Sequence, residues 1–154
     1  MIAPKLSLYA LTSLARSLSR PSALTGRAIG ATLRERIILR VSSVNSCTVC
    51  SAVHGALARL EGLSRDDVRQ ARAASKEHLD DRTLLALRYA ELRTVGWERE
   101  YPDDVAAFEK AFTPTKQAEV RAIVDLFTFN NRFNNTWEAV LPGAEGRRRR
   151  MGIG

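Results

Sequence analysis

The sequence is poor in the features that mark the commoner classes of small protein. Only two of its 154 residues are cysteine, Cys47 and Cys50. A secreted disulfide scaffold uses more cysteines and scatters them to close long loops. No apolar run approaches the roughly 20 residues that span a bilayer, so a membrane role is not expected. No stretch alternates apolar and polar residues between hairpin turns, which argues against a β-sheet protein. Repeats are missing, as is any linker long enough to divide domains. Acidic residues are absent from positions 1–34, which carry Lys5, Arg16, Arg20, Arg27 and Arg34.

That last absence changes the meaning of the net charge of +7. The five cations of the first 34 residues and Arg147 to Arg150 near the other end account for nine of 24 basic residues, leaving 15 against all 17 acids over residues 35–146. The body of the chain is thus close to neutral, at −2. A nucleic-acid binder carries its basic residues along folded elements with aromatics interleaved, so nucleic acid is not an expected partner. Residues 147–154 read as a basic, flexible C-terminal tail. The Arg, Ser and Leu content of the first segment has the flavour of a transit peptide. However, Leu8, Leu11, Leu14, Ala15 and Leu18 recur at helical spacing, and an amphipathic first helix over 6–19, ended by Pro21, explains it as well. We expect that helix to be retained and the protein to be cytoplasmic.

What is present is helix. Hydrophobic residues make up 45% and charged ones 27% of the chain, a globular composition able to bury a core without staples. The spacing predicts helices from about Thr32 to Val44 and from Asn45 or Ser46 to Leu60, with Gly62 as a stop signal. Ser64 with Asp66 and Asp67 reads as the cap and acidic first turn of a short helix. A longer one follows over 81–97, with Leu84, Leu85, Leu87, Leu92 and Val95 as its apolar side. Pro102 opens a helix carrying Val105, Phe108 and Phe112. Thr113-Pro114 starts a last one through Val120, Val124, Phe127 and Trp137, ended by Pro142 and Gly143. The expected fold is a single all-α helical bundle over residues 1–146.

On the helix after Val44, Cys47, Cys50 and His54 fall within an arc of roughly 60°, so all three can address one small volume. Cysteines at a helix start meet unpaired backbone N–H groups and the positive end of the dipole, which favour the nucleophilic thiolate. Gly55 and Ala56 keep the helix slim enough for a neighbour to approach. On the preceding helix, Leu33, Ile37, Val41 and Val44 form one apolar stripe, and Ala31, Ile38, Leu39 and Ser42 surround Glu35 on the other side. A helix apolar on two sides is buried on both, which would bury Glu35, a condition carboxylates tolerate when paired or functional. An exposed Glu35, or one in a structural ion pair with a nearby arginine, is the competing reading.

Other chemistries for the pair fit less well. Zinc held by Cys47, Cys50, His54 and His78 would use an unusual ligand spacing, and His78 sits in a polar, charged stretch. Haem attachment needs His directly after the second cysteine, where this chain has Ser51. A thioredoxin-type site needs a β-α context. No metal or cofactor is therefore expected.

The pattern Glu35-x11-Cys47-x2-Cys50-x3-His54 resembles the carboxymuconolactone decarboxylase-like superfamily, and within it the alkylhydroperoxidase D-like branch. The resemblance is clearest over Arg34–Val68, RERIILRVSSVNSCTVCSAVHGALARLEGLSRDDV. A weaker similarity lies in FNNRFNNTW, Phe129–Trp137. The resemblance implies a helical oligomer, a trimer or hexamer, acting as a thiol-dependent hydroperoxidase or disulfide reductase with an antioxidant role. It implies Cys50 as the nucleophile that attacks a hydroperoxide and Cys47 as the thiol that resolves the sulfenate. Glu35 and His54 would form a proton relay, partly through water. The disulfide would be reduced by a dithiol protein or small thiol. This chain departs from the pattern at Val49, where members often carry His or an aromatic residue. A decarboxylase of the same superfamily and a non-enzymatic redox-responsive protein are the alternatives, and retention of both cysteines speaks against the first.

Overall fold

A carboxylate and two turns of glycine-permitted backbone set the start of the first described helix. In the computed structural model, the described residues are 26–76 and 78–140. The expected helix over 6–19, the stop at Pro142 and Gly143, and the tail at 147–154 lie outside them. Gly26 and Gly30 adopt positive φ, 64° and 90°, where side chains are disfavoured, and the Gly30 N–H closes back on Gly26 O at 2.7 Å. Helix α1 (Ala31–Val44) then begins without a side-chain cap of its own. Glu119, far along the chain, accepts from the backbone N–H groups of Ala28 and Ile29 at 2.8 Å each, placing a carboxylate where helix N-termini favour negative charge.

Five further helices follow: α2 (Thr48–Leu60), α3 (Arg65–Ala73), α4 (Asp81–Val95), α5 (Pro102–Ala111) and α6 (Pro114–Val140). There is no strand among the described residues, and none of the described helices is long and apolar enough to cross a membrane. The expected boundaries hold within a residue or two, apart from the start of α2. Asn45 caps α1, Ser46 takes a left-handed φ of 53°, and Cys47 becomes the extended N-cap of α2. Two residues expected within the helix thus form the turn. Ser64 caps α3, as expected, and with Asp67 completes a full capping box. Asp80 caps α4 through Thr83, and Gly96 ends it at φ 82°.

Helix α1 is the wall shared by two cores. Ile37, Ile38 and Val41 pack with Ala86, Leu87 and Ala90 of α4, Phe108 of α5, and Val120, Ile123 and Val124 of α6. Leu39, on another side of α1, packs with Ala58, Leu63, Val68 and Ala71 beneath α2 and α3. This double burial is what two apolar faces on one helix demand. In α4 the buried set is Thr83, Ala86, Leu87, Tyr89, Ala90, Leu92 and Thr94. Val95, expected on the apolar side, is exposed, and Leu84 and Leu85 are only half-buried. The core-facing side of α4 is carried by Ala86, Leu87, Ala90 and Leu92, with Leu84 packed at its margin.

Helix α6 has 27 residues and is about 40 Å long, enough to serve the main core with one end and the cysteine turn with the other. A two-pronged ion pair from Arg93 to Asp125, at 2.7 and 2.8 Å, ties it to α4. Close to that ion pair, where Tyr89 and Arg93 both donate to Glu98, Tyr89 and Phe108 stack with centroids 4.0 Å apart, and Phe108 is fully buried. Truncating Phe108 to alanine is expected to destabilise the protein by roughly 3–5 kcal/mol. Chemical denaturation would show this as a lower midpoint with an unchanged slope; a loss below 1 kcal/mol would mean that this aromatic stack is not central to the core.

Candidate active site

The site begins with a charge that has been taken out of water. Glu35, midway along α1, is 1% exposed. A buried carboxylate is tolerated only with partners for its oxygens, and both oxygens have them. Oε2 lies 2.9 Å from Nδ1 of His54 on α2. Oε1 accepts from Nε and Nη2 of Arg34 at 3.0 and 2.8 Å. Burial alone pushes the Glu35 carboxyl up, but hydrogen bonding and charge from His54, then from Arg34, outweigh it and hold the group below its ordinary value. Glu35 is therefore an anion. An anionic carboxylate only accepts, so Nδ1 of His54 carries the proton between them, and Nε2 is the ring nitrogen that faces away from Glu35.

One further contact fixes the imidazole. The ring meets Phe127 of α6 edge to face, with centroids 4.9 Å apart. Next to it on α2, Gly55 lets α3 come close: a Cβ there would stand 3.1 Å from Nη2 of Arg72, the atom that donates to Ser51 O at 2.6 Å. The slimness of α2 at this point thus admits Arg72.

Cys47 and Cys50 are joined as a disulfide with Cα atoms 5.3 Å apart. Cys47 anchors the helix start: its N–H donates to Ser42 O at 2.9 Å, and its Sγ accepts from the Cys50 N–H at 3.3 Å. Cys50 stands in the first turn of α2, one turn before His54. Both cysteines are buried, at 2% and 4% exposure. Val49, between them in sequence, points out and is 47% exposed.

All four residues singled out in the sequence are therefore on the two adjoining helices, and the burial of Glu35 is as the pattern implied. Glu35 is not exposed, and it pairs with an arginine as well as with the histidine. The direct 2.9 Å contact to His54 differs from a relay through water. Sequence reasoning did not pick out Arg34, Phe127 or Asn134. Asn134 on α6 donates from Nδ2 to Cys50 Sγ at 3.3 Å. Its only signal was the amide-rich FNNRFNN run, whose partners depend on how α6 lies across α1 and α2. Among the described residues no group of three or more His, Cys, Asp or Glu side chains is arranged to hold a metal ion.

The model of the carboxymuconolactone decarboxylase family matches residues 22–92. That segment contains Glu35, Cys47, Cys50 and His54 and stops short of α5 and α6. No curated protein and no solved structure matches the chain.

The lowered Glu35 value has a consequence for stability. A depressed carboxylate contributes fully above its ordinary value of 4.5, and the contribution is lost as pH falls through the lower folded value. Glu35→Gln is therefore expected to lower stability by roughly 3 kcal/mol at pH 7, with the gap from wild type closing as the solution is acidified below that value. Urea titrations of both proteins at a series of pH values measure this; equal stabilities at pH 7 would show that the pairing of Glu35 contributes nothing.

Proposed function

We propose that the protein is a thiol-dependent hydroperoxidase with a Cys47–Cys50 redox pair. The observation that carries the reading is the direct contact of His54 with the buried Glu35 anion, one helical turn from the cysteine pair. A thiol needs a base to react quickly near neutral pH. Glu35 holds His54 in the tautomer whose Nε2 can take a proton, and stabilises the imidazolium that results. The family match supports the reading in a general way, since that family includes both peroxidases and decarboxylases.

In the proposed cycle, His54 accepts the proton of the Cys50 thiol. The thiolate attacks the terminal oxygen of an organic hydroperoxide, and the O–O bond breaks. Cys50 becomes a sulfenic acid, and the alkoxide leaves as alcohol with the proton held on His54. The Cys47 thiolate then displaces hydroxide from the Cys50 sulfur, forming the disulfide and, with one proton, water. Resolution by a thiol one turn away protects the sulfenic acid from further oxidation. A dithiol donor closes the cycle by exchange: two thiols become a disulfide, and both cysteines are reduced.

We also propose that the chain works as a homo-oligomer. Val49, Val53, Leu57 and Leu60 form an exposed apolar stripe along α2, and Phe133, Trp137 and Val140 are exposed on α6. Such groupings mark surfaces that another protein covers. Sedimentation at micromolar concentration should give a multiple of the chain mass; a stable monomer would remove this proposal.

The test of the activity is dithiol-dependent consumption of an organic hydroperoxide by the wild type and by Cys50→Ser, Cys47→Ser, His54→Ala and Glu35→Gln. Turnover by the wild type is expected, with each variant slowed about 100-fold or more, as for residues that act as a unit. An inactive wild type whose cysteines still cycle reversibly would instead favour a disulfide reductase or a redox-responsive protein. Lactone decarboxylation that survives loss of both cysteines would favour the decarboxylase reading.

A further inference from the structure

The two sulfurs of the redox pair are served by different donors. Cys47, at the N-cap of α2, receives the backbone N–H of Cys50. The same helix start cannot serve Cys50 in that way, because Cys50 lies within the first turn and its own N–H is already used. The donor that meets its sulfur comes from outside the matched segment, from the far half of α6: Asn134 Nδ2, at 3.3 Å.

We propose that Asn134 is a catalytic residue of this site, holding an amide N–H on Cys50 Sγ to stabilise the negative charge that gathers there. The inference rests on the redox reading of the cysteine pair given above. A disulfide sulfur and a thiolate both only accept hydrogen bonds. The amide therefore serves both states with the same N–H, and turning Oδ1 toward the sulfur would set lone pairs against lone pairs.

The amide is held in place before any charge develops. Three asparagines of α6, Asn131 and, one turn on, the adjacent Asn134 and Asn135, grip three parts of the site. Asn131, fully buried, exchanges hydrogen bonds with Ser42 of α1 at 3.3 and 3.5 Å. Asn135 donates to Asn45 O in the turn between α1 and α2 at 2.7 Å. Asn134 lies between them against the sulfur. With both neighbours pinned, the Asn134 side chain has little to reorganise, which is the condition under which a dipole lowers the energy of a developing charge. Negative charge appears on Cys50 Sγ twice in the cycle: as the attacking thiolate, and again when a donor thiolate attacks Cys47 Sγ, breaks the S–S bond and expels Cys50 as thiolate. One donor thus assists the oxidative and the reductive halves.

The experiment isolates Cys50 as the sole thiol in a Cys47→Ser background and measures its alkylation by iodoacetamide, with thiolate absorbance, as a function of pH. Asn134→Leu, of similar size but without a donor, is expected to move the midpoint to higher pH and slow alkylation at pH 7 roughly tenfold, the order of one charge-assisted hydrogen bond. Asn134→Asp, which keeps the shape and sets a carboxylate against the sulfur, should move it further and serves if the leucine variant folds poorly. Asn135→Leu loses a bond between α6 and the turn but leaves the sulfur's donor, and should move the midpoint by much less than Asn134→Leu. An unchanged midpoint in both Asn134 variants, or an equal shift in Asn135→Leu, would overturn the proposal. Because the readout is alkylation, a protein that consumes no hydroperoxide can still confirm the role of Asn134, and one that does can still refute it.

Discussion

Burial of the Glu35 charge is the constraint from which the rest of the site follows. A carboxylate sealed between two layers of apolar side chains is costly unless its oxygens are matched by donors. Here the matching is divided between helices: Arg34, from the same helix, takes one oxygen and His54, from the next, takes the other. Arg34 also lies 3.8 Å from Glu61 at the end of α2, so the cation that satisfies the buried acid links both ends of the α1–α2 pairing. The orientation of the imidazole is thereby a by-product of solving a burial problem.

The chemistry inherits that division of labour. With Arg34 on one oxygen and His54 on the other, Glu35 stays ionised and is poorly placed to accept a proton itself. Its effect in the proposed cycle is exerted through His54, by fixing the tautomer and favouring the charged ring. In the proposed cycle His54 alone then carries the proton between thiol and leaving alkoxide. The same two bonds that satisfy the buried acid are the ones the proposed cycle uses.

Helix α6 completes what the two adjoining helices begin. Its first half belongs to the main core through Val120, Ile123 and Val124, and Asp125 fastens it to α4. Its second half brings Phe127 to the ring of His54 and Asn131, Asn134 and Asn135 to α1, α2 and the turn between them. A helix about 40 Å long makes this possible, because one rigid element transmits the position set in the core to the sulfur atoms.

The order of helices, the cap at Ser64, the start at Pro102 and the two-sided burial of α1 were all legible from periodicity and local turn chemistry, because these depend on residues a few positions apart. So was the grouping of Cys50 with His54, one turn apart on one helix. Other features came only with the folded chain. Glu35 is 19 residues from His54, and whether it would meet the ring, an arginine or solvent depended on how α2 folds back over α1. The start of α2 at Thr48 followed from the left-handed turn at Ser46 and the hydrogen bond of Cys47 to Ser42, not from pattern. Asn134, 84 residues from Cys50, carries no periodic signal that distinguishes it from Asn130. Its contact exists because α6 lies across the cysteine turn at one angle and register, set by side-chain packing in a core that contains neither residue. Local chemistry chose the elements and the cysteine pair; long-range packing decided which acid, ring and amide would gather around that pair.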